Sequence, residues 1–99
     1  MNLSELPTPA LVLDIARVRR NAERMSERVK GMGASLRPHI KTHKCVEIAR
    51  LQTTAHSAAL TVSTLAEAAW FAARGFTDLT YAVPVEPGKF AAAIELARE

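Results

Sequence analysis

The stretch Pro38-His39-Ile40-Lys41-Thr42-His43-Lys44 decides how this chain is read. It carries two lysines and two histidines, directly after Leu36-Arg37 and directly before a helix-like pattern. With the period of two that a strand imposes, Arg37, His39, Lys41 and His43 share one face, and Leu36, Pro38, Ile40 and Thr42 the other. Strands of a parallel sheet are normally apolar on both sides, because helices or a barrel interior cover them. An inward row of basic and titratable groups costs desolvation unless something anionic or reactive meets it. The stretch is therefore a candidate site, carried on a strand expected over roughly 35–42.

Working outward, Pro7-Thr8-Pro9 punctuates the chain before Ala10-Leu11-Val12-Leu13, a short apolar run that reads as a strand. Asp14 stands at an N-cap position. Behind it Ile15, Val18, Ala22, Met25, Val29 and Met32 recur at helical spacing, and Gly31 and Gly33 end the helix. Downstream of the basic stretch a helix is expected over roughly 45–55, with Ile48, Leu51 and Ala55 inward. Leu60-Thr61-Val62-Ser63 is a β-branched strand, and Thr64-Leu65-Ala66-Glu67 is a capping box. The helix it starts carries Leu65, Ala68, Ala69, Phe71 and Ala72 and stops at Gly75. Leu79-Thr80-Tyr81-Ala82-Val83 is a third strand of this run, closed by Pro84. A last helix follows Pro87 with Phe90, Ile94 and Ala97 on its buried face.

Strands alternate with helices throughout, which argues for an α/β fold with parallel strands and crossover helices. A closed (β/α)8 barrel takes roughly 250 residues, and this chain has 99. A doubly wound sheet normally opens with a Gly-rich phosphate loop, and the first βα turn here has none. The expectation is one unit over residues 1–99, the first part of a TIM-type barrel that is incomplete in this chain: a fragment, a truncated product or half of a split enzyme.

Composition narrows the function classes. Hydrophobic residues make up 48 %, enough for a core. Lys plus Arg is 13 against 10 for Asp plus Glu, so the net charge is only +3. The basic run Arg17, Arg19, Arg20 shares its helix with Glu23 and Glu27 and reads as a solvated face. No aromatic interleaves with it, so no nucleic-acid partner is expected. Cys45 is alone, which rules out a disulfide within the chain. The N-terminus lacks a secretory pattern, and no apolar run approaches the ~20 residues a membrane span needs. A cytoplasmic protein with no membrane partner is expected.

Three blocks together carry a resemblance. Thr8-Pro9-Ala10-Leu11-Val12-Leu13-Asp14, then Arg37-Pro38-His39-Ile40-Lys41-Thr42-His43-Lys44, then Thr61-Val62-Ser63-Thr64-Leu65-Ala66-Glu67-Ala68 resemble the opening of the D-threonine aldolase and D-serine dehydratase family. The likeness runs from about residue 7 to 98. The first two blocks are specific, whereas the third is shared among alanine-racemase-like barrels. The resemblance implies pyridoxal 5'-phosphate as cofactor, with Lys41 forming the Schiff base at the end of the first barrel strand. It implies a second, mostly β domain after the barrel, which this chain lacks. It also implies a divalent metal whose ligands lie in that missing part, a D-amino acid substrate and a homodimeric full-length protein.

The residues support the same assignment for Lys41. An amine attacks an aldehyde only when uncharged, and burial in a barrel mouth, with Arg37, His39 and Lys44 nearby, would favour the neutral form. The same position also suits a surface lysine at a strand end. Arg37 and His39 share its face and are read as cofactor-supporting, or as a polar network of the barrel floor. His43 could hold a cofactor or substrate group, and Lys44 a phosphate, or either could be solvated. His39 and His43 lie roughly 13 Å apart on a strand, too far to share one ion, so no metal site is expected. His56 reads as solvated, Cys45 as a small buried residue, and Trp70 as helix packing. The leading function is a lyase acting on D-configured β-hydroxy amino acids, by D-threonine cleavage or D-serine dehydration, with doubtful activity for the 99-residue chain alone. The alternatives are a non-catalytic pyridoxal-phosphate carrier and a small basic binding module.

Overall fold

The computed structural model describes residues 2–53 and 58–98. Helix α1 (Ile15–Gly31) begins where its cap dictates: Asp14 is extended, and its carboxylate accepts the Arg17 N–H at 2.9 Å. Its end is closed by two reversed bonds around Gly33, whose φ is +70°. The Gly33 N–H reaches the Lys30 carbonyl at 2.9 Å and the Ala34 N–H the Val29 carbonyl at 3.2 Å. That pairing needs a left-handed residue, which glycine adopts without a Cβ penalty. The apolar stripe of α1 is only half used. Val18, Ala22 and Val29 are half-buried, whereas Ile15, Met25 and Met32 stay exposed.

Helix α2 (Val46–Thr53) buries Val46 and Ala49, with Ile48 and Leu51 half-buried. Ala55 and His56 lie outside the described residues. Strand β1 (Ala59–Val62), helix α3 (Leu65–Ala72), strand β2 (Asp78–Tyr81) and helix α4 (Phe90–Leu96) complete the order. β1 and β2 are parallel, with Ala59 opposite Asp78 and Val62 opposite Tyr81. On the other side of β1, His39 forms a parallel bridge with Thr61. The Ile40 N–H reaches the Thr61 carbonyl at 3.0 Å, and the Thr61 N–H reaches the Pro38 carbonyl at 2.8 Å. Three parallel segments therefore lie side by side, with β1 in the middle.

Two expected strands are corrected. The one expected over roughly 35–42 contracts to the bridge at His39, because the Ile40 carbonyl accepts both the His43 N–H (3.2 Å) and the Lys44 N–H (2.8 Å). Those bonds curl residues 41–43 into a turn. The strand expected at Ala10–Leu13 does not form either. The segment carries no ladder, and Leu11 is 90 % exposed. Backbone groups pair only where a neighbour offers partners, and among the described residues none runs beside it. The third strand is confirmed but shifted, ending at Tyr81 where Val83 was expected.

The core lies between the parallel segments and the helices. Ile40, Val46, Ala49, Leu60, Val62, Ala68, Phe71 and Phe76 are its buried members. Gly75, at φ +93°, turns the chain out of α3. The Phe76 N–H returns to the Phe71 carbonyl at 3.2 Å, and the two rings meet edge to face with centroids 5.6 Å apart. This closure delivers the chain to β2 and fixes the β1–α3–β2 unit. Alternation along the strands puts Leu60, Val62, Leu79 and Tyr81 towards the helices. His39, Thr61 and Thr80 fall in a row on the opposite face. An apolar groove of about 500 Å³ between α3, β2 and α4, lined by Leu65, Phe76, Leu79 and Leu96 among others, lies on the helix side, away from that row.

Candidate functional site

Parallel strands place their first residues at one end of the sheet and their last at the other. Arg37 belongs to the first end. Its guanidinium pairs with the Asp78 carboxylate at 2.7 Å and donates to the backbone carbonyls of Asp78 (3.1 Å) and Leu60 (3.4 Å). One side chain thus ties the Pro38 segment to both β1 and β2. The hydrogen bond to Asp78 holds Arg37 above its usual range, and the same bond holds the Asp78 carboxyl below its own.

Lys41 belongs to the other end, where the Pro38 segment stops and turns. It is exposed, and its ammonium makes no hydrogen bond or ion pair with the described residues. The burial expected around it is not what the structure shows. Its backbone is nevertheless fixed, because the Lys41 N–H donates to His39 Nδ1 at 3.2 Å. The His39 lone pair is therefore committed at Nδ1, which leaves Nε2 as the position for the proton of the neutral ring. Only Arg37 and His39 of the expected four-residue row remain on strand-like backbone. The turn swings His43 to α2, where its Nε2 meets Gln52 Oε1 at 3.0 Å and its Nδ1 accepts the Cys45 N–H at 3.0 Å.

Lys44 closes the turn in a left-handed conformation, φ +49°. Its ammonium lies 3.3 Å from Glu67 Oε1, on a side chain only 8 % exposed. The other carboxylate oxygen of Glu67 accepts the Ser63 N–H at 2.8 Å and the Ser63 hydroxyl at 3.2 Å. Thr64 caps α3 as expected, its hydroxyl accepting the Glu67 N–H at 3.0 Å. Burial pushes the Glu67 carboxyl up. The bonds from the Ser63 N–H, Lys44 and the Ser63 hydroxyl outweigh it and hold the group below its ordinary range. Cys45 is half-buried and donates its thiol to Glu47 at 3.1 Å, and that bond lowers the Glu47 carboxyl.

The structure thus brings Lys41, His39, Lys44, Ser63 and Glu67 together at the C-terminal end of the strands, and sends Arg37 to the base. Glu67 and Asp78 are the members that sequence reasoning missed. Glu67 carried a signal, the capping box, but the box accounts only for its place on α3. Asp78 lies 41 residues from Arg37, and no local pattern pairs them. Among the described residues no group of three His, Cys, Asp or Glu side chains could hold a metal ion. Nor is any helix of these residues long and apolar enough to cross a membrane.

A family model described as the alanine racemase N-terminal domain matches residues 13–98. The D-threo-3-hydroxyaspartate dehydratase of Delftia sp. (strain HT23) is 46 % identical over 96 residues, covering 97 % of this chain and 25 % of that protein. Its structure superposes with a TM-score of 0.91 over 95 % of this chain, and a variant of it has been solved in a metal-free form. The D-serine dehydratase of Dictyostelium discoideum is 36 % identical over 100 residues, covering 96 % of this chain and 25 % of that protein. The D-threonine aldolase of Arthrobacter sp. is 36 % identical over 97 residues, covering 97 % of this chain and 26 % of that protein. The chain spans about a quarter of the length of the curated relatives it matches.

Proposed function

Because the chain belongs to the alanine racemase N-terminal domain family, we propose that it is the lysine-bearing part of a pyridoxal-phosphate lyase acting on D-configured β-hydroxy amino acids. In this reading residues 1–99 correspond to the first part of an alanine-racemase-like barrel, and the divalent metal and the β domain belong to sequence outside it. The names of the relatives support the substrate class: dehydratases and an aldolase of D-serine, D-threonine and D-threo-3-hydroxyaspartate.

The residues present fit the cofactor. An aldehyde needs an accessible amine that no carboxylate has already claimed, and Lys41 offers one on a fixed backbone. Beside it the open face of the sheet is polar, with His39, Thr61 and Thr80 in a row. Bound pyridoxal phosphate supplies an aldehyde carbon for the amine and a ring that accepts electrons. Lys41 Nζ would be the group that binds it, and the same amine could hold or deliver a proton beside the substrate. His39 fixes the Lys41 backbone through Nδ1 and leaves Nε2 to meet the cofactor or substrate. Arg37 supports from below: it orders the base of the three parallel segments through Asp78.

The observation that carries this reading is the free amine of Lys41 at the C-terminal end of the strands, where barrel enzymes place reactive groups. Titration of the chain with pyridoxal phosphate tests it by absorbance. A saturable spectral change is expected in the unmodified chain and not in Lys41→Ala. An equal change in both refutes the assignment.

A further inference from the structure

The Lys41 turn is held at both ends by different means. On its N-terminal side the backbone is tied to β1 through Ile40 and Thr61. On its C-terminal side the Lys44 side chain adds an ion pair to the backbone bonds onto the Ile40 carbonyl. Lys44 adopts φ +49°, a conformation that glycine or asparagine accepts more readily than lysine. A lysine there costs backbone energy, and its ammonium lies against a carboxylate that is almost fully buried. Glu67, for its part, goes beyond a helix cap. A capping-box glutamate returns to the N–H of the cap residue itself. Here Oε2 takes the N–H of Ser63, one residue before Thr64, while Oε1 faces Lys44. The carboxylate therefore joins the end of β1, the start of α3 and the turn that carries Lys41.

Resting on the reading of Lys41 as the cofactor amine, we propose that Glu67, acting through Lys44, is a positioning residue that sets the reactive placement of Lys41. Neither side chain touches the cofactor in this role. Lys44 sits three residues beyond Lys41, and its N–H shares the Ile40 carbonyl with that of His43, so releasing the ammonium loosens the turn as a unit. Small displacements of a reacting group cost rate steeply, since productive attack needs atoms aligned at near-contact distance.

The test compares lysines within one molecule. The chain has four, Lys30, Lys41, Lys44 and Lys89. Pyridoxal phosphate is added, the reaction is quenched with borohydride at timed intervals, and the label on each peptide is measured by mass spectrometry. The readout is the rate at Lys41 relative to Lys89. Global unfolding would level the lysines, so the ratio is read on variants whose far-UV signal matches the unmodified chain, and there it reports placement. In Lys44→Met and Glu67→Gln the ratio is expected to fall about tenfold, and in Lys44→Arg to stay within about twofold of the unmodified chain. Should Glu67→Gln lose its far-UV helix signal, the Lys44 pair of variants decides, because that side chain is exposed. An unchanged ratio in Lys44→Met overturns the inference and leaves the Lys41 assignment standing. A fall that Lys44→Arg shares equally also overturns it, since the ion pair is then not the cause. No preference for Lys41 in the unmodified chain overturns the reading beneath it, and the inference with it.

Discussion

Glu67 gives the sharpest test of the energetics. In Glu67→Gln the amide oxygen still accepts from the Ser63 N–H, but the negative charge and its pairing with Lys44 are lost. A hydrogen bond to a charged group contributes about 1.5–3 kcal/mol, and a neutral one about 1. The Lys44 side chain is 62 % exposed, so its pairing adds less than about 1 kcal/mol. Relief from burying a charge works in the opposite direction. The expected net loss is about 1 kcal/mol at neutral pH. Its pH dependence is more diagnostic than its size. The folded Glu67 carboxyl lies below its ordinary value, so folding favours the ionised form. That stabilisation is fully present above the unfolded value of about 4.3, declines as pH falls, and is gone below the lower folded value. Urea unfolding of both proteins, followed by circular dichroism between about pH 7 and pH 3, measures the gap directly. Other carboxylates titrate alike in both chains and cancel. The gap is expected to be constant above about pH 5 and to close in acid. A gap that persists unchanged to the acid end, or is absent at neutral pH, shows that the ionised Glu67 carboxylate does not stabilise the fold.

Phe71 is 1 % exposed and stacks edge to face on Phe76. Phe71→Ala should cost about 3–5 kcal/mol in urea unfolding, and Phe71→Leu a smaller loss of about 1.5; equal small losses would place Phe71 outside the core. Gly75 at φ +93° should resist a side chain, with Gly75→Ala costing about 1–2 kcal/mol in the same unfolding assay. Gly31 ends α1 with helical backbone, and beyond its chain neighbours and its own helix backbone no atom lies within 4 Å of the place a methyl group would take, so Gly31→Ala should be neutral or stabilising by up to about 1 kcal/mol.

The parts legible in the sequence are those whose causes are local. Asp14, Thr64, Gly33 and Gly75 act within a few residues, and each sits where its signal put it. The parts that were not legible depend on distant neighbours. Ala10–Leu13 has the composition of a strand but no chain beside it among the described residues. The alternation through Arg37, His39, Lys41 and His43 was real for two residues. It then yielded to two bonds onto the Ile40 carbonyl, which a count of apolar positions does not contain. Lys41 was legible as the candidate amine because of its motif. Its partners were not, since Glu67 reaches it only through Lys44, and Arg37 meets Asp78 across the sheet base.

Everything proposed for this chain turns on one amine among four being the one that an aldehyde cofactor captures. Reductive trapping of pyridoxal phosphate on the unmodified chain, followed by peptide mapping, measures this directly. Label is expected to concentrate on the peptide containing Lys41 at substoichiometric cofactor. Label spread evenly over Lys30, Lys44 and Lys89 as well, or concentrated on any of them, contradicts the assignment.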